Sequence, residues 1–142
     1  MIEIHDNTEL SQHRPDHKVV VVMPGRETTR AFLRSLEDRD LDVPEVLMLH
    51  GPEGIARFDL HGDNHGWWAH VRRTLKNVGG ADANILFVYY EALKHGKVLL
   101  FVPLAPGGPR TELLDLLRAH KGSAMSYFTP HTMESIPFSD HL

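Results

Sequence analysis

"KVVVVMPG", residues 18–25, is the stretch on which the reading of the fold turns. Its β-branched run is closed by Pro24 and Gly25, and it predicts a strand buried in a sheet. The chain then continues as "RETTRAFLRSLEDRD" (26–40), where Thr29, Phe32, Leu33 and Leu36 mark one face of a helix. A second strand follows in "VPEVLMLHG" (43–51), stopped by Gly51 and Pro52.

The same grammar returns toward the other end. "KVLLFVPLAPGGP" (97–109) is a strand running into a Pro/Gly turn, and "RTELLDLLRAHKG" (110–122) is a helix opened by Pro109 and ended by Gly122. "SAMSYFTP" (123–130) closes the unit as a strand, with Ala124, Ser126 and Phe128 on one face and Met125 and Tyr127 on the other. Two strand–helix–strand units with right-handed crossovers pack naturally as one sheet. The expected fold is therefore α+β and ferredoxin-like, βαβ–(αα insertion)–βαβ, a four-stranded antiparallel sheet with helices packed on one face. Residues 1–17 have no sustained period and contain Pro15, so they read as a flexible leader before a single domain over 18–142.

The insertion, residues 51–96, carries two further helical patterns. At ~100° per residue, Trp67, Trp68, Val71, Leu75 and Val78 fall within an arc about 100° wide, with Arg72, Arg73 and Lys76 outside it. "DANILFVYYEALKHG" (82–96) has Asp82 as an N-cap candidate and Gly96 as its stop. Its apolar residues surround nearly the whole axis, so this helix wants burial on more than one side. A homo-oligomer joined through the insertion is the expectation that follows.

Composition narrows the function classes. The 142 residues carry a formal charge of −4, with only Arg72, Arg73 and Lys76 closely clustered, which argues against nucleic acid as the main partner. With no cysteine, disulfides and thiolate chemistry are excluded. "VVVVM" and "ILFVYY" are far too short to span a membrane, and the polar opening lacks the pattern of a secretory signal. These features make a cytoplasmic protein the expectation. No nucleophile elbow and no phosphate-binding glycine loop is present, and "APGGPR" (105–110) reads as a tight turn because Pro106 and Pro109 remove amide donors.

The 11 histidines are the compositional anomaly. In "HGDNHG" (61–66), His61, Asp63 and His65 supply imidazole and carboxylate donors within five residues, and His50 at the end of the second strand completes a candidate shell for a divalent metal. The plainer reading of the same stretch is structural. Gly51, Gly54, Gly62 and Gly66 permit bends, Asp63 or Asn64 caps the Trp helix, and the tryptophans anchor it. Anion binding at that helix start is a further option, as is pH sensing by histidines at a subunit contact. "DNHG" (63–66) resembles the opening of the calcineurin-like metallophosphoesterases, but the later metal-binding blocks of that family have no counterpart in this chain. Glu91 and His95 form an i,i+4 pair of the exposed kind, and Tyr89 and Tyr90 read as packing residues.

Taken together, "LHGPEGIARFDLHGDNHGWW" (49–68), "YYEALKHGKVLLFVPL" (89–104) and "LLRAHKGSAMSYFTP" (116–130) resemble a group of bacterial general-stress-like proteins of unassigned biochemistry, over about residues 18–136. The resemblance implies an α+β fold and a stress context and transfers no catalytic residue. Lys121, between His120 and Gly122, is a departure from the group's His-Gly helix end. The expected function is a non-enzymatic oligomeric module that binds a small ligand or a protein partner. The competing expectation is a metal-binding protein or metal-dependent enzyme using His50, His61, Asp63 and His65.

Overall fold

A computed structural model of the chain describes residues 2–7, 17–41, 43–58, 85–129 and 133–136. The strands are β1 (Glu3–Asp6), β2 (Lys18–Met23), β3 (Glu45–Leu49), β4 (Val98–Pro103), β5 (Ser123–Phe128) and β6 (Met133–Ser135). The described helices are α1 (Arg26–Asp38), α2 (Gly51–Phe58), α3 (Ile85–Lys94) and α4 (Arg110–Ala119). The strands form one mixed sheet in the order β1-β3-β4-β2-β5-β6. The pairings within β3-β4-β2-β5, and that of β5 with β6, are antiparallel, while β1 lies parallel to β3.

Two features differ from the expectation. The sheet has six strands where four were expected, and its helices cover both faces where one was expected. The reason lies in β2 and β4, where Val19 to Met23 and Val98 to Val102 are buried without interruption. Alternate residues of a strand point to opposite faces, so a strand apolar at every position needs cover on both. Val19, Val21 and Met23 pack beneath α1 and α4 with Phe32, Leu36, Leu113 and Leu117. Val20 and Val22 pack on the other side with Tyr89 and Leu93 of α3 and Ile55 of α2. The described part of the insertion therefore forms the second helical layer. Trp67, Trp68 and Asp82 lie outside the described residues.

The leader is also more structured than expected, since its residues 3–6 form β1. Ile2 and Ile4 alternate with Glu3 and His5 in strand period, and Ile2 reaches the core beneath α1. The buried face of α1 is Thr29, Phe32, Leu33 and Leu36, as its sequence predicts. Gly51 and Pro52 begin α2 as well as ending β3. Gly51 takes φ +68, and Pro52 occupies the first turn of the helix, where its missing N–H costs nothing.

Three helices end in the same hydrogen-bonded motif. Leu41 N–H reaches Leu36 O (3.2 Å), Lys97 N–H reaches Ala92 O (3.0 Å) and Gly122 N–H reaches Leu117 O (2.8 Å). In each the preceding residue is left-handed: Asp40 (φ 54), Gly96 (φ 81) and Lys121 (φ 66). Only α3 places glycine there. Gly122 is required for a different reason, because a Cβ on it would sit 2.9 Å from both Leu117 O and Val21 Cγ2. Neighbouring substitutions should therefore have opposite signs. Lys121→Gly relieves a left-handed side chain and should stabilise by about 1 kcal/mol, whereas Gly122→Ala should destabilise by about 1–3 kcal/mol. Urea denaturation of the two variants checks this, and a shared sign would overturn the assignment.

Candidate functional site

The edge formed by β1 and β3 gathers the densest set of polar side chains with metal-ligating chemistry among the described residues. Glu3 and His5 are two apart on β1 and share a face, and Glu45 is the register partner of Glu3 on β3. His5 Nε2 lies 3.0 Å from Glu45 Oε2 and 3.8 Å from Glu3 Oε1. One ligand atom from each of the three residues lies within 4.8 Å of the others. An imidazole with two carboxylates is a nitrogen and oxygen donor set suited to zinc or manganese.

At the far end of the same strand pair, His50 Nε2 meets Asp6 Oδ1 at 2.6 Å, and the His50 backbone N–H donates to Asn7 Oδ1 at 2.9 Å. Of the four residues expected to hold a metal, His50 thus faces an acid of β1. His61, Asp63 and His65 lie outside the described residues. Glu3, His5 and Asp6 lie within the stretch 1–17 that reads as a leader, and Glu45 joins them only through the strand register, so the sequence did not single them out. The alternation in "IEIH" was the signal that could have found them.

The other described histidines are engaged in the fold. His120 Nδ1 donates to Leu116 O (2.9 Å), which leaves Nε2 to accept from Ser35 Oγ (3.4 Å) and ties α4 to α1. His95 closes onto Glu91 O at 2.7 Å, on an exposed surface as its pairing with Glu91 implied. Tyr127 donates its hydroxyl hydrogen to Leu104 O (2.8 Å), so the His17 Nδ1 contact at 3.1 Å is donated by the imidazole. Burial raises the Tyr127 hydroxyl above the ordinary phenol range, the Arg110 guanidinium opposes that, and Glu134 adds to it.

The crevice among Leu41, Val43, Pro103, Leu104, Pro109 and Leu113 is apolar and holds ≈ 50 Å³, against about 300 Å³ or more for sites that enclose small molecules. "APGGPR" is a turn, with Gly108 N–H bonded to Ala105 O (2.9 Å) and Gly107 left-handed. Compared with protein-family models, with curated proteins and with solved structures, the chain matches none. No described helix is long and apolar enough to cross a membrane.

Tyr89 is the most deeply buried titratable group of the described fold, and its surroundings give it a packing role. Its hydroxyl donates to Ala124 O at 2.9 Å. Ala124 is left-handed (φ 50) and lies where the β2–β5 register slips between Val20 and Val22. The bulge turns a ladder carbonyl toward α3, and Tyr89 satisfies it. Burial holds the hydroxyl far above the ordinary phenol value, opposed in part by the neighbouring Ser126 hydroxyl. Tyr89→Phe should cost about 1–3 kcal/mol at neutral pH by leaving that carbonyl unpaired. The sign with pH follows from linkage. Above the pKa of a free phenol, ~10, the unfolded chain loses its proton while the folded one keeps it, so stability falls as pH rises. Denaturant melts from pH 8 to 11 should show a steeper alkaline loss for the native chain than for Tyr89→Phe. Parallel curves would contradict the assignment.

Proposed function

We propose that the chain is a non-enzymatic binding module that works as a homo-oligomer, two copies meeting through the outer face of α3. The observation that carries this is the exposure of Phe87 (60%) and Val88 (45%), side by side on a helix whose opposite face is core. Large apolar side chains exposed together on a folded domain mark contact surfaces more often than chance placement does. The surrounding residues suit self-contact, since Glu91 and Lys94 give the same face an acid and a base. A surface carrying both signs can meet its own two-fold copy without like-charge repulsion. Phe87 and Val88 would be the apolar centre of that contact, and the charged residues its rim.

The order and antiparallel pairing of β3-β4-β2-β5, with α1 and α4 on one face, support reading the inner sheet as a ferredoxin-like unit. On that reading β1, β6, α2 and α3 elaborate it, and the bound partner is a protein surface. A cytoplasmic stress-response setting rests on the resemblance of residues 18–136 alone. Phe87→Asp is the test, because the site is exposed and folding stability should move by less than about 0.5 kcal/mol. Sedimentation should find the native chain associated and Phe87→Asp monomeric with an unchanged melt. A native chain that is monomeric at every concentration would overturn the proposal.

A second reading, divalent-metal binding, is favoured by one observation, the convergence of Glu3, His5 and Glu45. Calorimetric titration of the apo chain with zinc should then show stoichiometric uptake that His5→Ala abolishes. Uptake that survives His5→Ala would point to other ligands, His50, His61, Asp63 and His65 among them. The absence of any heat would end the metal reading.

A further inference from the structure

β1 joins the sheet with little core of its own. Of residues 2–6 only Ile2 is buried, while Glu3, Ile4 and Asp6 are exposed. The strand is held by a parallel ladder of four register positions, from Glu3 opposite Glu45 to Asp6 opposite Met48. Polar contacts finish its two ends: Ile2 N–H donates to Glu37 Oε1 at 3.2 Å, and Asp6 meets His50. A short edge strand with so few buried apolar contacts belongs to the part of a fold that opens at the lowest free energy.

One feature of the ladder works against the pairing. Glu3 and Glu45 are register partners, and like charges opposite one another across a strand pair are destabilising. Among the described residues, the only basic side chain in contact with either carboxylate is His5, whose single nitrogen Nε2 faces both. With Glu3 71% and Glu45 45% exposed, such contacts offset little of the repulsion. A divalent cation resolves the conflict, because it turns the two repelling carboxylates into donors beside the imidazole. The spacing suits this, since one donor atom from each residue lies within 4.8 Å of the others.

We infer, resting on the metal-binding reading given above, that a divalent ion held by Glu3, His5 and Glu45 is a structural clip that fastens β1 to the sheet. Two of the donors come from β1 and the third from β3, so the set exists only while the strands lie in register. The free energy of binding the ion is therefore added to that of docking the strand. Glu45 is the decisive ligand. An ion held by Glu3 and His5 alone would ride on β1 and fasten nothing.

Amide hydrogen exchange reads the clip. Glu3 N–H donates to Pro44 O (3.0 Å) and Asn7 N–H to Met48 O (2.8 Å), and the even spacing of a parallel ladder turns the His5 amide toward β3 between them. In the zinc-free chain the His5 amide should exchange faster than the amides of β4, which marks local opening of β1. At free zinc 100 times the dissociation constant found by calorimetry, opening that breaks the site should become about 100-fold rarer and the His5 amide slower by about that factor. Glu45→Gln, an exposed and conservative change, should abolish the slowing with the circular dichroism unaltered. Zinc uptake without slower exchange at His5, slowing that survives Glu45→Gln, or a zinc-free His5 amide already as slow as those of β4 would each overturn the clip and leave the uptake standing. The absence of uptake would end the clip and the metal reading together.

Discussion

The antiparallel pairing of two strands that are apolar at every turn of the pleat governs this molecule. β2 and β4 run side by side through six register positions, from Lys18 opposite Pro103 to Met23 opposite Val98. Every residue from Val19 to Met23 and from Val98 to Val102 is buried. Such a pair cannot rest at the surface of a sheet with one wet face, because half its side chains would stand in water. Both faces must be covered, and the four described helices divide between them. The insertion that separates the two strand–helix–strand units supplies the cover that the units themselves lack.

Covering the second face brings a constraint of its own. α3 sits over the bulge in β5, where the register slips and the Ala124 carbonyl accepts from the Tyr89 hydroxyl. A fully apolar helix would leave that carbonyl unpaired in a dry environment, a cost comparable to a lost hydrogen bond. Tyr89 resolves the conflict by bringing both a large apolar body and a hydroxyl. The same helix presents Phe87 and Val88 outward, so one short element closes the core and offers an apolar surface beyond it. That double use explains why its sequence lacks a clean amphipathic stripe.

The described histidines show local chemistry behind part of a compositional anomaly. His50 meets an acid of β1, His17 meets a tyrosine of β5, and His120 bridges two helices, each with a partner remote in sequence. Imidazole suits these places because it offers one donor and one acceptor on a flat ring that tolerates partial burial. The set with the shape of a metal site, Glu3, His5 and Glu45, arises from strand register. It is not a sequence motif, since its members are separated by the whole of β2 and α1.

What the sequence determined by itself is what local period and local sterics encode. The spans of β2, α1, β3, β4, α4 and β5, the buried face Thr29–Phe32–Leu33–Leu36 and the two faces of β5 all follow from side-chain direction along a regular backbone. The all-round apolar character of residues 85–93 leads to an expectation of burial on more than one side, whereas Phe87 and Val88 stand exposed on the outer face of α3. Tertiary structure alone decided which distant segments share hydrogen bonds. β1 pairs with β3 across some forty residues, β6 folds back onto β5, Lys121 takes the left-handed position at the end of α4, and Val21 and Leu117 leave no room for a side chain at Gly122. A residue's period is fixed by its neighbours in the chain, but its partner is fixed by the packing of elements that the chain brings together only when it folds.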